Sequence, residues 1–170
     1  MRGYRIFFVG LFAGWLVASC SITYKFNQSS IDYSKISSIS IHDFPNLSEW
    51  VYVPLAQQFT EALKDKYTRQ TKLRMLDEGG DLNIEGEITG SVLSPLTVTG
   101  NMLASQTRLT VTVRVRFTNK ADPETDFERS FSAKSEFDNT RTIDQVQDEL
   151  FDFIMKEIID QIFNETVATW

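Results

Sequence analysis

Cys20 is the residue of this 170-residue chain most committed to a chemistry. It is the single cysteine, so it has no internal disulfide partner. It closes the run Val17-Ala18-Ser19-Cys20, which has the form of a bacterial lipobox. In that reading the leader is cut between Ser19 and Cys20, the thiol takes a diacylglyceryl thioether, and the new amine is acylated. The preceding residues agree. Arg2 and Arg5 form a basic start, Ile6 to Val17 an apolar stretch, and Ala18-Ser19 the small residues before a cut. The stretch is shorter than the ~20 residues that span a bilayer comfortably. The alternatives are an ordinary signal peptide, or an uncleaved anchor, with an incidental cysteine. A mature chain starting at Cys20 would be held by two or three acyl chains, and stable anchoring takes more than one. Ser21-Ile22-Thr23-Tyr24 brings no acidic residue directly after the cysteine, hence no inner-membrane retention signal or surface-export cluster. The expected placement is the inner leaflet of an outer membrane, facing the periplasm.

Other reactive side chains are sparse. His42 is the only histidine, so it makes no metal cluster, and no nucleophile is tied to it. Asp144, Asp148, Glu149 and Asp152 read as a solvated helix face and N-terminal dipole partners. Gly79-Gly80 is a turn and lacks the further glycines or Lys-Ser/Thr of a phosphate loop. No catalytic residue, metal ligand or cofactor is expected. The remaining candidates are cationic. Arg108, Arg114 and Arg116 alternate along one polar strand face, and a guanidinium offers phosphate a bidentate fork. Lys134 lies on the polar side of the next strand. The competing reading is cross-strand pairing with Glu85, Glu87, Glu128 and Glu136.

The elements that must position these residues follow from periodicity. Residues 1–19 are the signal, 20–35 a Ser-, Asn- and Tyr-rich tether, and 36–170 one folded domain. Ile36 to Phe44 reads as a strand ended by Pro45-Asn46. A helix starts at Val53-Pro54 and carries Leu55, Phe59, Ala62, Leu63 and Tyr67 at helical spacing. Lys72 to Leu76 is a short strand, followed by a turn through Gly79-Gly80. Leu82, Ile84, Gly86, Ile88, Gly90 and Val92 alternate with polar residues, as do Leu109, Val111, Val113, Val115 and Phe117. Phe127, Phe131, Ala133 and Phe137 mark a third long strand, with Arg129 and Ser135 interrupting its apolar side. Such alternation belongs to antiparallel strands with one buried face. Thr142 is a candidate N-cap for a closing helix striped by Val146, Leu150, Ile154, Ile158 and Ile162, and widened by Phe151, Phe153 and Phe163. The expected fold class is α+β: a two-layer α/β sandwich with two helices on one face of a mostly antiparallel sheet of four to five strands.

Removing Arg2 and Arg5 leaves 15 basic against 23 acidic residues, a net charge of −8. That balance opposes nucleic-acid binding, which needs a basic footprint. The high aromatic content, with 13 Phe, opposes disorder of the whole.

The lipobox, the strand ending at Phe44, the Val53-to-Leu63 helix start and the run Gly80-Asp81-Leu82-Asn83-Ile84-Glu85-Gly86-Glu87-Ile88 together resemble the LptE family. The alternating Leu109-to-Phe117 strand and the Val146-to-Leu150 helix fit it as well. These are lipopolysaccharide-assembly lipoproteins of the outer membrane. The resemblance implies a two-layer domain seated inside the translocon β-barrel LptD, where it acts as a plug, aids barrel assembly and contacts lipopolysaccharide without catalysing a reaction. Arg108, Arg114, Arg116 and Lys134 are candidates for glycolipid or partner contact from this chain's own pattern. Two other classes stay open: a lipoprotein that activates a cell-wall synthase or docks another envelope complex, and a lipid shuttle with an apolar groove.

Overall fold

The computed structural model describes residues 31–50, 52–96 and 106–167. The leader, the Ser19–Cys20 junction and most of the tether lie outside them. Among the described residues five strands and two long helices follow one another as β1 Ser38–Ile41, α1 Leu55–Gln70, β2 Arg74–Leu76, β3 Leu82–Leu96, β4 Gln106–Asn119, β5 Phe127–Asp138 and α2 Ile143–Val167. A 3-10 turn at Pro123–Thr125 joins β4 to β5. The sheet order is β2-β1-β3-β4-β5. β1 is parallel to both β2 and β3, while β3-β4 and β4-β5 are antiparallel. The class is therefore α+β with a mixed, mostly antiparallel sheet. No helix among the described residues is long and apolar enough to cross a membrane.

Each helix buries the stripe its sequence carries. Leu55, Phe59, Leu63 and Tyr67 of α1 are buried, as are Val146, Leu150, Ile154, Ile158 and Ile162 of α2. With the inner face of the sheet they form one core, α2 lying chiefly against β5 and β4, and Ile84, Ile88, Leu109, Val113, Val115 and Phe117 are fully covered. Tyr67 and Thr166 share a buried hydrogen bond that ties the two helices, and burial pushes the Tyr67 hydroxyl pKa up. Two expected stripe members differ. Ala62 is exposed and Thr60 takes the inward position, because its hydroxyl accepts the Phe44 N–H at 3.0 Å and donates to the Ala56 carbonyl. Phe153 is half exposed, lying on the solvent side of α2. At the start of α2, Gln145 reaches back to accept the Thr142 N–H at 3.0 Å, half of a capping box.

The alternation of β3 breaks once. Ile88 faces Val113 but Gly90 faces Thr112, so Thr89 is an extra residue and the register shifts. Such a bulge reverses the phase of everything beyond it. Ser91 consequently points into the core opposite Val111, and Val92, expected on the apolar side, points outward with 56% exposure.

The turn before β3 is fixed by its own polar groups. The Asp81 carboxylate accepts the backbone N–H groups of Ser37 (2.8 Å) and Ser38 (3.0 Å), and both serine hydroxyls. These bonds, led by the Ser37 N–H, hold the Asp81 pKa below its ordinary value of 3.8. A carboxyl depressed in the folded state adds stability above its unfolded pKa, and this is lost as pH falls through the folded one. Asp81→Asn is expected to cost about 1.5–3 kcal/mol at pH 7, the range for bonds to a charged acceptor. Urea titrations should show the gap between the two proteins closing below about pH 4.

Candidate functional site

The outward face of β3-β4-β5 gathers the charged residues expected to matter. Arg108, Arg114 and Arg116 project from β4, flanked by Glu85 and Glu87 of β3 and by Glu128, Lys134 and Glu136 of β5. Pairing is what the geometry realises. Arg114 meets Glu87 at 2.9 Å, and Arg116 meets Glu85 at 3.3 Å and Glu128 at 3.8 Å. Arg108 donates through both Nε and Nη2 to Glu136, at 2.9 and 2.7 Å. Lys134 stands opposite Thr110 and has no ion-pair partner among the described residues.

These pairs are inexpensive to exchange. The Arg114 and Arg116 side chains remain 51% and 60% exposed. Exposed ion pairs contribute only about 0–1 kcal/mol each. An anionic partner can therefore take the guanidinium groups over at small cost. The face is no basic patch, since acids and bases alternate across it. Its central feature is a shallow open depression of about 400 Å³ bordered by His42, Asp43, Glu87, Arg114, Arg116 and Glu128. His42 Nε2 lies 2.9 Å from Asn83 Oδ1, which also accepts the Ser40 hydroxyl, so the ring is a structural partner of β3. Among the described residues no cluster of three metal-ligating side chains occurs.

Arg129, the interruption of the apolar side of β5, is matched instead on the helix side. It forms an ion pair with Glu165 of α2 and lies over the Phe127 ring. One aromatic group escaped sequence reasoning. Tyr52 stacks on Phe151 with centroids 4.5 Å apart, and Trp50 lies 5.6 Å from the same ring. The Tyr52 hydroxyl donates to Asp148 at 2.6 Å, and this bond, with burial, pushes its pKa up to about 12. The two-residue spacing of Trp50 and Tyr52 was the available signal, but their ring partner lies about a hundred residues along the chain.

Three comparisons with known proteins bear on this arrangement. Residues 36–166 match the profile of a family described as LptE: Lipopolysaccharide-assembly. Among solved structures, a minor lipoprotein from Acinetobacter baumannii is 12% identical with a TM-score of 0.52, over 76% of this chain and 91% of that one. A putative neuraminyllactose-binding hemagglutinin homolog from Helicobacter pylori is 9% identical with a TM-score of 0.53, over 80% and 85%. At such identities these two likenesses speak to the fold alone. No curated protein matches the chain by sequence.

Proposed function

This chain belongs to the LptE family of lipopolysaccharide-assembly proteins, and from that membership we propose that it is a non-catalytic lipoprotein subunit of the outer-membrane lipopolysaccharide translocon. In this reading the leader is removed after Ser19, Cys20 is lipidated, and the domain faces the periplasm from the outer membrane. It plugs an LptD-like β-barrel, helps that barrel assemble, and contacts lipopolysaccharide in transit. The observation that carries the proposal is the family match over residues 36–166, nearly the whole described domain. The absence of a sequence constellation for catalysis agrees with a plug. The polar sheet face supports the contact role, because Arg108, Arg114 and Arg116 share one open surface with Lys134 and are held by exchangeable pairs.

Depletion is expected to lower the amount of correctly assembled barrel and to leave lipopolysaccharide in the periplasm or inner membrane. Cys20→Ala should leave the protein unlipidated and mislocalised. Changing Arg108, Arg114 and Arg116 together to Ser should weaken glycolipid binding or barrel docking at least several-fold. Thermal unfolding should move by only a few degrees, since exposed pairs are lost. Full retention of both activities by the triple variant would remove the arginines from the contact surface. Normal barrel assembly and surface lipopolysaccharide after depletion would overturn the translocon role and favour the cell-wall activator.

A further inference from the structure

The outward sheet face carries more acid than base, and the surplus is local. Asp43, Glu85, Glu87 and Glu128 border the central depression of about 400 Å³, against the guanidinium groups of Arg114 and Arg116. Lys64 reaches Asp43 from α1 at 3.2 Å, which still leaves four carboxylates to three cations. Arg116 is divided between two of the acids, at 3.3 Å from Glu85 and 3.8 Å from Glu128. The longer separation exceeds a hydrogen bond, so the Glu128 carboxylate keeps acceptor capacity to spare. Glu87 and Glu128 side chains are 30% and 51% exposed, so a ligand can reach the acids as well as the bases.

This balance discriminates between ligands. A plain phosphate that takes Arg114 displaces Glu87 at 2.9 Å. It then stands beside a released carboxylate with no spare cation to neutralise it. Like charges and unpaired charges set against a ligand are a means of rejecting it. A plain ammonium meets the reverse problem at Arg114 and Arg116. A molecule carrying both charges exchanges one protein pair for two new ones, phosphate on guanidinium and ammonium on carboxylate. The strand register sets the spacing it needs. Arg114 faces Glu87 and Arg116 faces Glu85, each across one gap between strands. That gap is about 4.8 Å, a span that a two-carbon arm between phosphate and nitrogen covers.

We propose that this depression binds a phosphate ester carrying a primary ammonium on a short arm. The proposal rests on the lipid-contact reading given above and narrows its ligand to an amphoteric head group. The phosphate lies between Arg114 and Arg116, whose guanidinium forks suit its oxygens. The ammonium donates to Glu87 and Glu128, which flank β4 from either side. A primary ammonium is the fitting cation, because its three N–H groups serve carboxylates and a quaternary one has none to give. The depression is shallow and polar, so it takes the head group and leaves acyl chains outside. Two sources share this chemistry: the aminoethyl phosphate head of a membrane phospholipid, and an aminoethyl group borne on a glycolipid phosphate.

The test uses the full-length, lipidated protein in detergent micelles. Glycerophosphoethanolamine, glycerophosphocholine and glycerophosphoglycerol are titrated separately, and binding is read from the Nε–H resonances of Arg114 and Arg116. The ethanolamine compound is expected to bind at least fivefold more tightly than either of the others. Glu87→Gln combined with Glu128→Gln should shrink that preference to within about twofold, with the thermal midpoint held within a few degrees. Arg114→Ser combined with Arg116→Ser should remove binding of all three. Equal or tighter binding of the glycerol or choline compound, an unchanged preference in the glutamine variant, or no binding at all would each overturn the proposal. Competition with lipopolysaccharide bearing or lacking aminoethyl phosphate separates the sources. Displacement by the first alone assigns the glycolipid, displacement by neither assigns the phospholipid, and equal displacement by both would overturn the need for the ammonium. The head-group preference belongs to the purified chain and the translocon role to the depletion phenotype, so either can fail while the other stands.

Discussion

Val113→Asp is expected to abolish the cooperative fold. Val113 is fully buried at the middle of β4, between Ile88 on β3 and Phe131 on β5. The buried inner face around it is apolar: Val111 and Val115 flank it along β4, and all belong to one hydrophobic core with the stripe of α2. An unpaired buried carboxylate costs several kcal/mol, even when the group escapes by taking up a proton. Loss of the valine contacts adds about 1.5–3 kcal/mol. A domain of this size has about 5–15 kcal/mol in total. Ile154→Asp, fully buried on α2, should behave alike. Thr112→Asp is the control: the neighbouring residue on the polar face is half-buried beside Gly90 and Ser132, and its change should stay within about 1 kcal/mol. Far-UV circular dichroism and urea titration check the set. A Val113→Asp protein with a sigmoidal transition near the wild-type midpoint would refute the placement of this face.

Gly86→Ala should cost about 3 kcal/mol, although it adds one carbon. A Cβ at Gly86 would lie 2.2 Å from the Arg114 carbonyl oxygen and 2.6 Å from Phe44 Cε1. The first atom is backbone of the paired strand and cannot rotate away. The second belongs to a buried ring packed 5.2 Å from Phe59. Relief requires β4 to separate or Phe44 to leave its site, and overpacking of this kind costs about 1–3 kcal/mol or more. Gly90→Ala gives the contrast within the same strand. Its Cβ would meet nothing nearer than Thr112 Cβ at 3.9 Å, an ordinary contact. That variant should be neutral or gain up to about 1 kcal/mol through the unfolded chain. Equal stability of the two variants, measured by chemical unfolding, would show that the contacts with Phe44 and the Arg114 carbonyl set no cost at Gly86.

The same two glycines mark how far the sequence could be read. Leu82, Ile84, Gly86, Ile88, Gly90 and Val92 look like one uninterrupted period-two series, and the amino-acid pattern by itself settles a strand there. It also settles the long β4 and β5, both helical stripes and the α+β class. The reason is local: a strand or helix with one buried face must repeat its apolar residues at its own geometric period. The family resemblance, resting on runs such as Asp81-to-Ile88, belongs to the same legible layer. It agrees with the match over residues 36–166.

The bulge at Thr89 was not legible, because Ser, Gly and Val tolerate either face and an inserted residue shows only against a partner strand. Its consequences were hidden with it: the inward Ser91 and the outward Val92. The charged face was half legible. Alternation put Arg108, Arg114, Arg116 and Lys134 on one side, but only the β3-β4 and β4-β5 registers chose Glu87 for Arg114, Glu85 and Glu128 for Arg116, and Glu136 for Arg108. The ion pair of Arg129 with Glu165, the stacking of Tyr52 on Phe151 and the order β2-β1-β3-β4-β5 likewise depended on packing. Contacts between residues distant in sequence are selected by how whole faces bury one another, whereas periodicity reports only which face each residue occupies.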